Sequence, residues 1–121
     1  SKNRDFRTVT EVTLDLGEKP HPTPDLSVFP RAKIDWQHDE IRKTDAPVSI
    51  VEILSPTQGS FELMQRVDRY LKAGVKSCWI VFPTAKTVTI YTKDSEPVNF
   101  SEGVATDPAT GLTADLGNVF S

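Results

Sequence analysis

Apolar positions change period several times along this chain, and each change marks an element. Val12, Leu14 and Leu16 alternate with polar residues, as in a half-buried strand. Gly17 to Pro24 carries three prolines among its last five residues, which rules out helix and central strand. A short strand, Leu26 to Phe29, follows Asp25 and stops at Pro30. Arg31 to Ala46 mixes charges of both signs and reads as a surface loop or short irregular helix. The densest run is Val48, Ile50, Val51, Ile53 and Leu54, a strand buried on both faces. Ser55-Pro56 and Gln58-Gly59-Ser60 then turn the chain.

From Phe61 the period becomes helical, with Phe61, Met64, Val67 and Leu71 as the apolar positions. Glu62, Arg66 and Tyr70, four residues apart, form a second line on that helix. Gly74 is placed for a left-handed C-cap. Cys78 to Phe82 reads as another buried strand, stopped by Pro83, and Thr87 to Thr92 alternates as its hairpin partner. Pro97 to Ser101 suits one more short strand, and Leu112 to Phe120 a final strand or turn of helix. The strand–helix–strand crossover predicts a parallel pair inside a mixed sheet. The expected class is α/β, bordering on α+β, in one domain over residues 1–121. The chain begins without a capping signal or leading helix, so a missing N-terminal portion is expected.

Composition adds limits. Hydrophobic residues make up 37% and charged residues 26%, within the globular range. No run approaches the roughly 18 apolar residues of a membrane helix, and no secretion signal is recognisable. Cys78 is the only cysteine, which excludes an internal disulfide and makes a reducing cytoplasm the default location. A net charge of −3 argues against a broad nucleic-acid surface but suits a cation site lined by carboxylates.

The chemistry centres on Asp25 and Glu52. A carboxylate inside an apolar strand costs several kcal/mol unless paired or bound to a cation. If the two strands are neighbours, the acids converge, and with a backbone carbonyl and waters they suit Mg²⁺ or Mn²⁺. Arg66 is the cation placed to stabilise developing negative charge. Plainer readings stay open. Asp25 serves as a turn residue, Glu52 pairs with a buried arginine, and Glu62 with Arg66 forms an ordinary i,i+4 pair. Trp79, Phe82 and Tyr91 read as packing, Cys78 as a buried small hydrophobe, and His21 and His38 as loop residues.

Taken in order, Pro24-Asp25-Leu26-Ser27-Val28, Val51-Glu52-Ile53-Leu54-Ser55-Pro56-Thr57, Tyr70-Leu71-Lys72-Ala73-Gly74-Val75, Trp79-Ile80-Val81 and Thr87-Val88-Thr89-Ile90-Tyr91 make a pattern. With Gly111-Leu112-Thr113 and Val119-Phe120 it resembles the Uma-type family of the PD-(D/E)xK nuclease superfamily, whose members carry a restriction-endonuclease label. The resemblance implies a restriction-endonuclease-like mixed sheet with a flanking helix and divalent-metal-dependent hydrolysis of DNA. Asp25 and Glu52 would be the metal-binding acids, with Ile53 lending its carbonyl. The superfamily's usual lysine position holds Leu54, and the helical acid and lysine of the Uma-type pattern fall on Glu62 and Arg66. An arginine there still binds phosphate but cannot serve as a general base. Phe82 stands where the family commonly has an acid, and the family's N-terminal helices are missing from these residues. The alternative is therefore a catalytically degenerate relative that binds or assembles. DNA is the expected partner and a homodimer is plausible.

Overall fold

A computed structural model of the chain describes residues 6–10, 14, 22–30, 34–35, 40–41, 46–55 and 59–120. The elements in order are β1 (Phe6–Thr10), β2 (Leu26–Pro30), β3 (Ile34–Asp35), β4 (Glu40–Ile41), β5 (Ser49–Ile53), α1 (Ser60–Lys72), β6 (Ser77–Phe82), β7 (Thr87–Thr92), β8 (Val98–Phe100), β9 (Val104–Thr106), β10 (Thr113–Asp115) and α2 (Leu116–Val119). Six strands form one sheet in the order β1-β2-β5-β6-β7-β8. Within it β5 and β6 run parallel, joined by α1, and the other pairs are antiparallel. The mixed sheet with a flanking helix is thus the fold that the patterning predicts.

The sheet separates two cores. On one face α1 lays Leu63, Val67 and Tyr70 over Phe29, Ile50, Leu54, Cys78 and Ile80. On the other, β9, β10 and α2 bring Ala105 and Leu116 onto Trp79, Val88 and Ile90. Beside that cover lies a groove of about 320 Å³ whose walls include Phe6, Leu26, Val28, Val51, Val81 and Leu112. Alternation along β5 decides which side chain goes where. Ile50, Glu52 and Leu54 point to the α1 face, while Ser49, Val51 and Ile53 point to the other.

Several boundaries differ from the expectation. The first strand is Phe6–Thr10, and of Val12, Leu14 and Leu16 only Leu14 is among the described residues, where it is fully buried. Inside the expected loop or helix at 31–46, β3 and β4 pair as a small antiparallel hairpin. The strand Val104–Thr106 has no counterpart in the sequence reading, and it pairs with Thr113–Asp115. The tail is both a strand and a turn of helix rather than one of them.

The helix is where expected, but its buried stripe is rotated. Leu63, Val67 and Tyr70 face the sheet, whereas Phe61 and Met64 are 74% and 43% exposed. The reason is Tyr70. Counted with the polar line, it is in fact the third member of an i, i+4, i+7 apolar stripe that begins at Leu63. Gly74 takes φ +105° and closes a Schellman motif, with Val75 N–H donating to Tyr70 O (3.1 Å) and Gly74 N–H to Leu71 O (3.2 Å).

Candidate functional site

β2 and β5 pair antiparallel with Leu26 opposite Val51 and Ser27 opposite Ile50. One step beyond, Asp25 lies opposite Glu52 on the α1 face of the sheet. Each carboxylate accepts a backbone N–H from the neighbouring strand. Asp25 N–H donates to Glu52 Oε1 (3.2 Å), and Ile53 N–H donates to Asp25 Oδ2 (2.7 Å). Residues 27 and 28 positions apart in sequence therefore form one compact unit at the end of the β2–β5 ladder.

Arg66 reaches this unit from the second turn of α1. Its Nη2 lies 3.3 Å from Glu52 Oε2, and its side chain is 33% exposed. Its Nε is buried and has no hydrogen-bond partner among the described residues. Nε and Nη2 belong to a planar fork that can grip an acceptor with two parallel hydrogen bonds. Glu62, one turn earlier, is exposed, and Arg66 has turned to Glu52 across the helix–sheet interface. Of the residues named from sequence, the structure brings Asp25, Glu52, Ile53 and Arg66 together and leaves Glu62 at the rim.

Burial sets the electrostatics. Glu52 is 8% exposed, and desolvation raises its carboxyl above the ordinary range. Arg66 and the Asp25 N–H oppose that rise, while the Asp25 charge adds to it. Tyr70 and Cys78, behind Glu52 in the core, are both pushed far up by burial and then by the Glu52 charge. The Cys78 thiol accordingly stays protonated and inert at ordinary pH. His21 and His38 lie outside the described residues.

A second polar cluster, on the opposite face, has no counterpart in the sequence reading. Asp107 is 1% exposed. Its Oδ2 accepts from Ser77 Oγ, from Trp79 Nε1 (2.8 Å) and from Ser49 Oγ (3.4 Å), and the two serine hydroxyls are bonded to each other. Its Oδ1 accepts from Ala109 N–H (2.8 Å) and Thr110 N–H (3.2 Å). Burial alone would raise this carboxyl, but the hydrogen bonds together outweigh it and hold the group below its ordinary value. The available signal was the Asp-Pro pair at 107–108, a turn former whose aspartate bonds the backbone just ahead of it. Nothing local to it indicates the sheet donors.

Among the described residues no helix is long and apolar enough to cross a membrane. No group of three or more histidine, cysteine, aspartate or glutamate side chains gathers there either. No curated protein matches the chain. A solved structure is similar over 98% of this chain and 69% of its own, with 29% identity and a TM-score of 0.76. It is described as "a putative nuclease belonging to DUF820" from Anabaena variabilis. The model of the Uma2 family, described as "Putative restriction endonuclease", matches residues 1–117, and this chain belongs to that family.

Proposed function

We propose that this chain is a divalent-metal-dependent endonuclease that hydrolyses DNA phosphodiester bonds. The observation that carries the reading is the pair of hydrogen bonds from Asp25 N–H to the Glu52 carboxylate and from Ile53 N–H to the Asp25 carboxylate, which sets the two acids side by side next to a partly exposed arginine. The donor set fits a hard cation. Two carboxylates and the Ile53 carbonyl are all oxygen ligands, and Mg²⁺ or Mn²⁺ would keep waters in its remaining positions. The unpartnered Arg66 Nε fits an acceptor arriving from outside the protein.

Asp25, Glu52 and the Ile53 carbonyl would hold the ion. When bound, such an ion polarises a phosphoryl oxygen and lowers the pKa of its water. Arg66 does two things in this scheme. Nη2 steadies Glu52, and Nε donates to a phosphate oxygen as negative charge builds on it. Since Arg66 takes no proton, the proton of the attacking water leaves through solvent. Glu62, at the rim, orients a second water. The attacking oxygen bonds to phosphorus as the bond to the leaving sugar oxygen breaks.

One observation favours a second reading, a nuclease-fold relative that binds or assembles without cutting. Arg66 already lies on Glu52 and partly neutralises it with no ion needed. Calorimetric titration of Mg²⁺ and Mn²⁺ into this chain and into Glu52→Gln separates the two. Binding that the substitution abolishes supports the first, and in that case Arg66→Lys retains metal-dependent cleavage while Arg66→Met lowers it by about a hundredfold or more. No binding by the unaltered chain leaves the second reading standing.

A further inference from the structure

The two oxygens of Glu52 stand in different company. Oε1 accepts the Asp25 N–H at 3.2 Å, while Oε2 faces Arg66 Nη2 at 3.3 Å. Among the described residues Oε2 has no backbone donor, so it is the oxygen better able to serve a cation. The cation on it is the protein's own. Burial disfavours a charged Glu52, and Arg66 is the largest influence acting the other way. At 8% exposure an ionised Glu52 needs that partner when nothing else is bound.

The charge count sets up a conflict. Asp25 and Glu52 carry two negative charges and Arg66 one positive, which leaves one net negative charge to hold a divalent ion. No third acid gathers with them among the described residues. Tyr70 and Cys78, behind Glu52, stay protonated and add none. A guanidinium and a divalent ion at one carboxylate repel each other, and a partly buried site screens that repulsion poorly.

Arg66 is also placed to yield. At 3.3 Å its contact is longer than the roughly 2.7–2.9 Å usual for a charge-assisted hydrogen bond. Its Nε has no partner among the described residues, so this edge of the fork is unused. The side chain is 33% exposed, which leaves it a way into solvent. We infer that Arg66 is an intramolecular competitor of the metal ion. The resting site is closed on its own guanidinium, and Arg66 leaves Glu52 when a divalent cation takes its place. This rests on the metal-dependent reading above and adds to it a contact that lowers metal affinity at rest.

The test uses the full chain and two readouts. Calorimetry gives the Mg²⁺ and Mn²⁺ affinities of the unaltered chain, Arg66→Lys and Arg66→Met. Arg66→Met should bind roughly ten- to a hundredfold more tightly, because a repelling charge is gone, and Arg66→Lys, which keeps the charge, should stay within about threefold of the unaltered chain. Removing the partner of a buried carboxylate can unfold a protein, so the second readout is made on the unaltered chain. With ¹⁵N-labelled arginine, the Arg66 Nε–H resonance, assigned by its loss in Arg66→Lys, reports exchange with solvent. Saturating Mg²⁺ should speed that exchange by about tenfold or more as the guanidinium moves outward. Metal affinity that is unchanged or weaker in folded Arg66→Met, or Nε–H exchange that stays the same while Mg²⁺ binds, overturns the inference and leaves the metal-dependent reading intact. Binding of neither ion by the unaltered chain removes both.

Discussion

Asp107 shows how much one side chain can organise. It joins the sheet strands β5 and β6, through Ser49, Ser77 and Trp79, to the turn at 109–110. Asp107→Asn keeps one acceptor but turns an amide N–H₂ toward hydroxyl and indole donors. It should cost about 2–3 kcal/mol in urea unfolding at neutral pH. The pH dependence has a definite direction. The folded carboxyl titrates below the unfolded one, so its stabilisation is complete above about pH 4 and disappears as pH falls through the folded value. The substituted protein should therefore lose less stability than the unaltered one between neutral pH and about pH 3. A parallel loss in both would mean that the buried carboxyl is not held low. The sheet donors were not readable from the residue itself, because they stand 28 to 58 positions away in sequence.

At the scale of elements, the two ends of α1 make a contrast. Gly74 holds φ +105°, and a Cβ there would meet only Ala46 Cβ at 4.0 Å. Space is therefore not the obstacle in Gly74→Ala; the left-handed backbone is, and a loss of about 1 kcal/mol is expected. Gly59 at the N-cap has φ −74° and gives no side-chain cap, and a Cβ there meets nothing within 4 Å. Gly59→Ser should add a few tenths of a kcal/mol. Chemical denaturation of both variants gives the two signs directly. Elements like this helix and the strands Ser49–Ile53, Ser77–Phe82 and Thr87–Thr92 were legible because each has enough positions for a period to show. The hairpin of Val104–Thr106 with Thr113–Asp115 was not, since three-residue strands offer too few alternations and are held by Asp107 instead. The apolar stripe of α1 was misread by rotation, because tyrosine satisfies both a polar and an apolar pattern. Asp25, Glu52 and Arg66 stood out for the opposite reason, as charges in or beside apolar runs.

For the whole molecule, the two faces of the sheet are not equally robust. One is covered by a helix inserted between adjacent strands, and the other depends on residues that come after the sheet is complete. A chain ending at Glu102 would uncover Trp79, Val88 and Ile90 and strip the donors of Asp107. Exposing several such side chains, each contributing about 1.5–3 kcal/mol, approaches the entire stability of a small domain. That truncated chain should bind hydrophobic dyes and unfold without a cooperative transition, as judged by near-ultraviolet circular dichroism and urea titration. A sharp transition in it would show that the helix-covered face suffices alone.

The bonds that tie Asp25 to Glu52 and Ile53 also say something about how such a protein can vary over evolutionary time. The two acids are set by the strand register, and the chain between β2 and β5 has only to leave one strand and return to the other. Lengthening that connection costs little, about 0.6 kcal/mol for each doubling. A single residue added within β2 would be far more disruptive, because it would carry Asp25 to the opposite face of the sheet. Insertions should therefore collect between residues 31 and 45, where relatives are free to gain new surfaces, and stay out of the short ladder that holds the acids together.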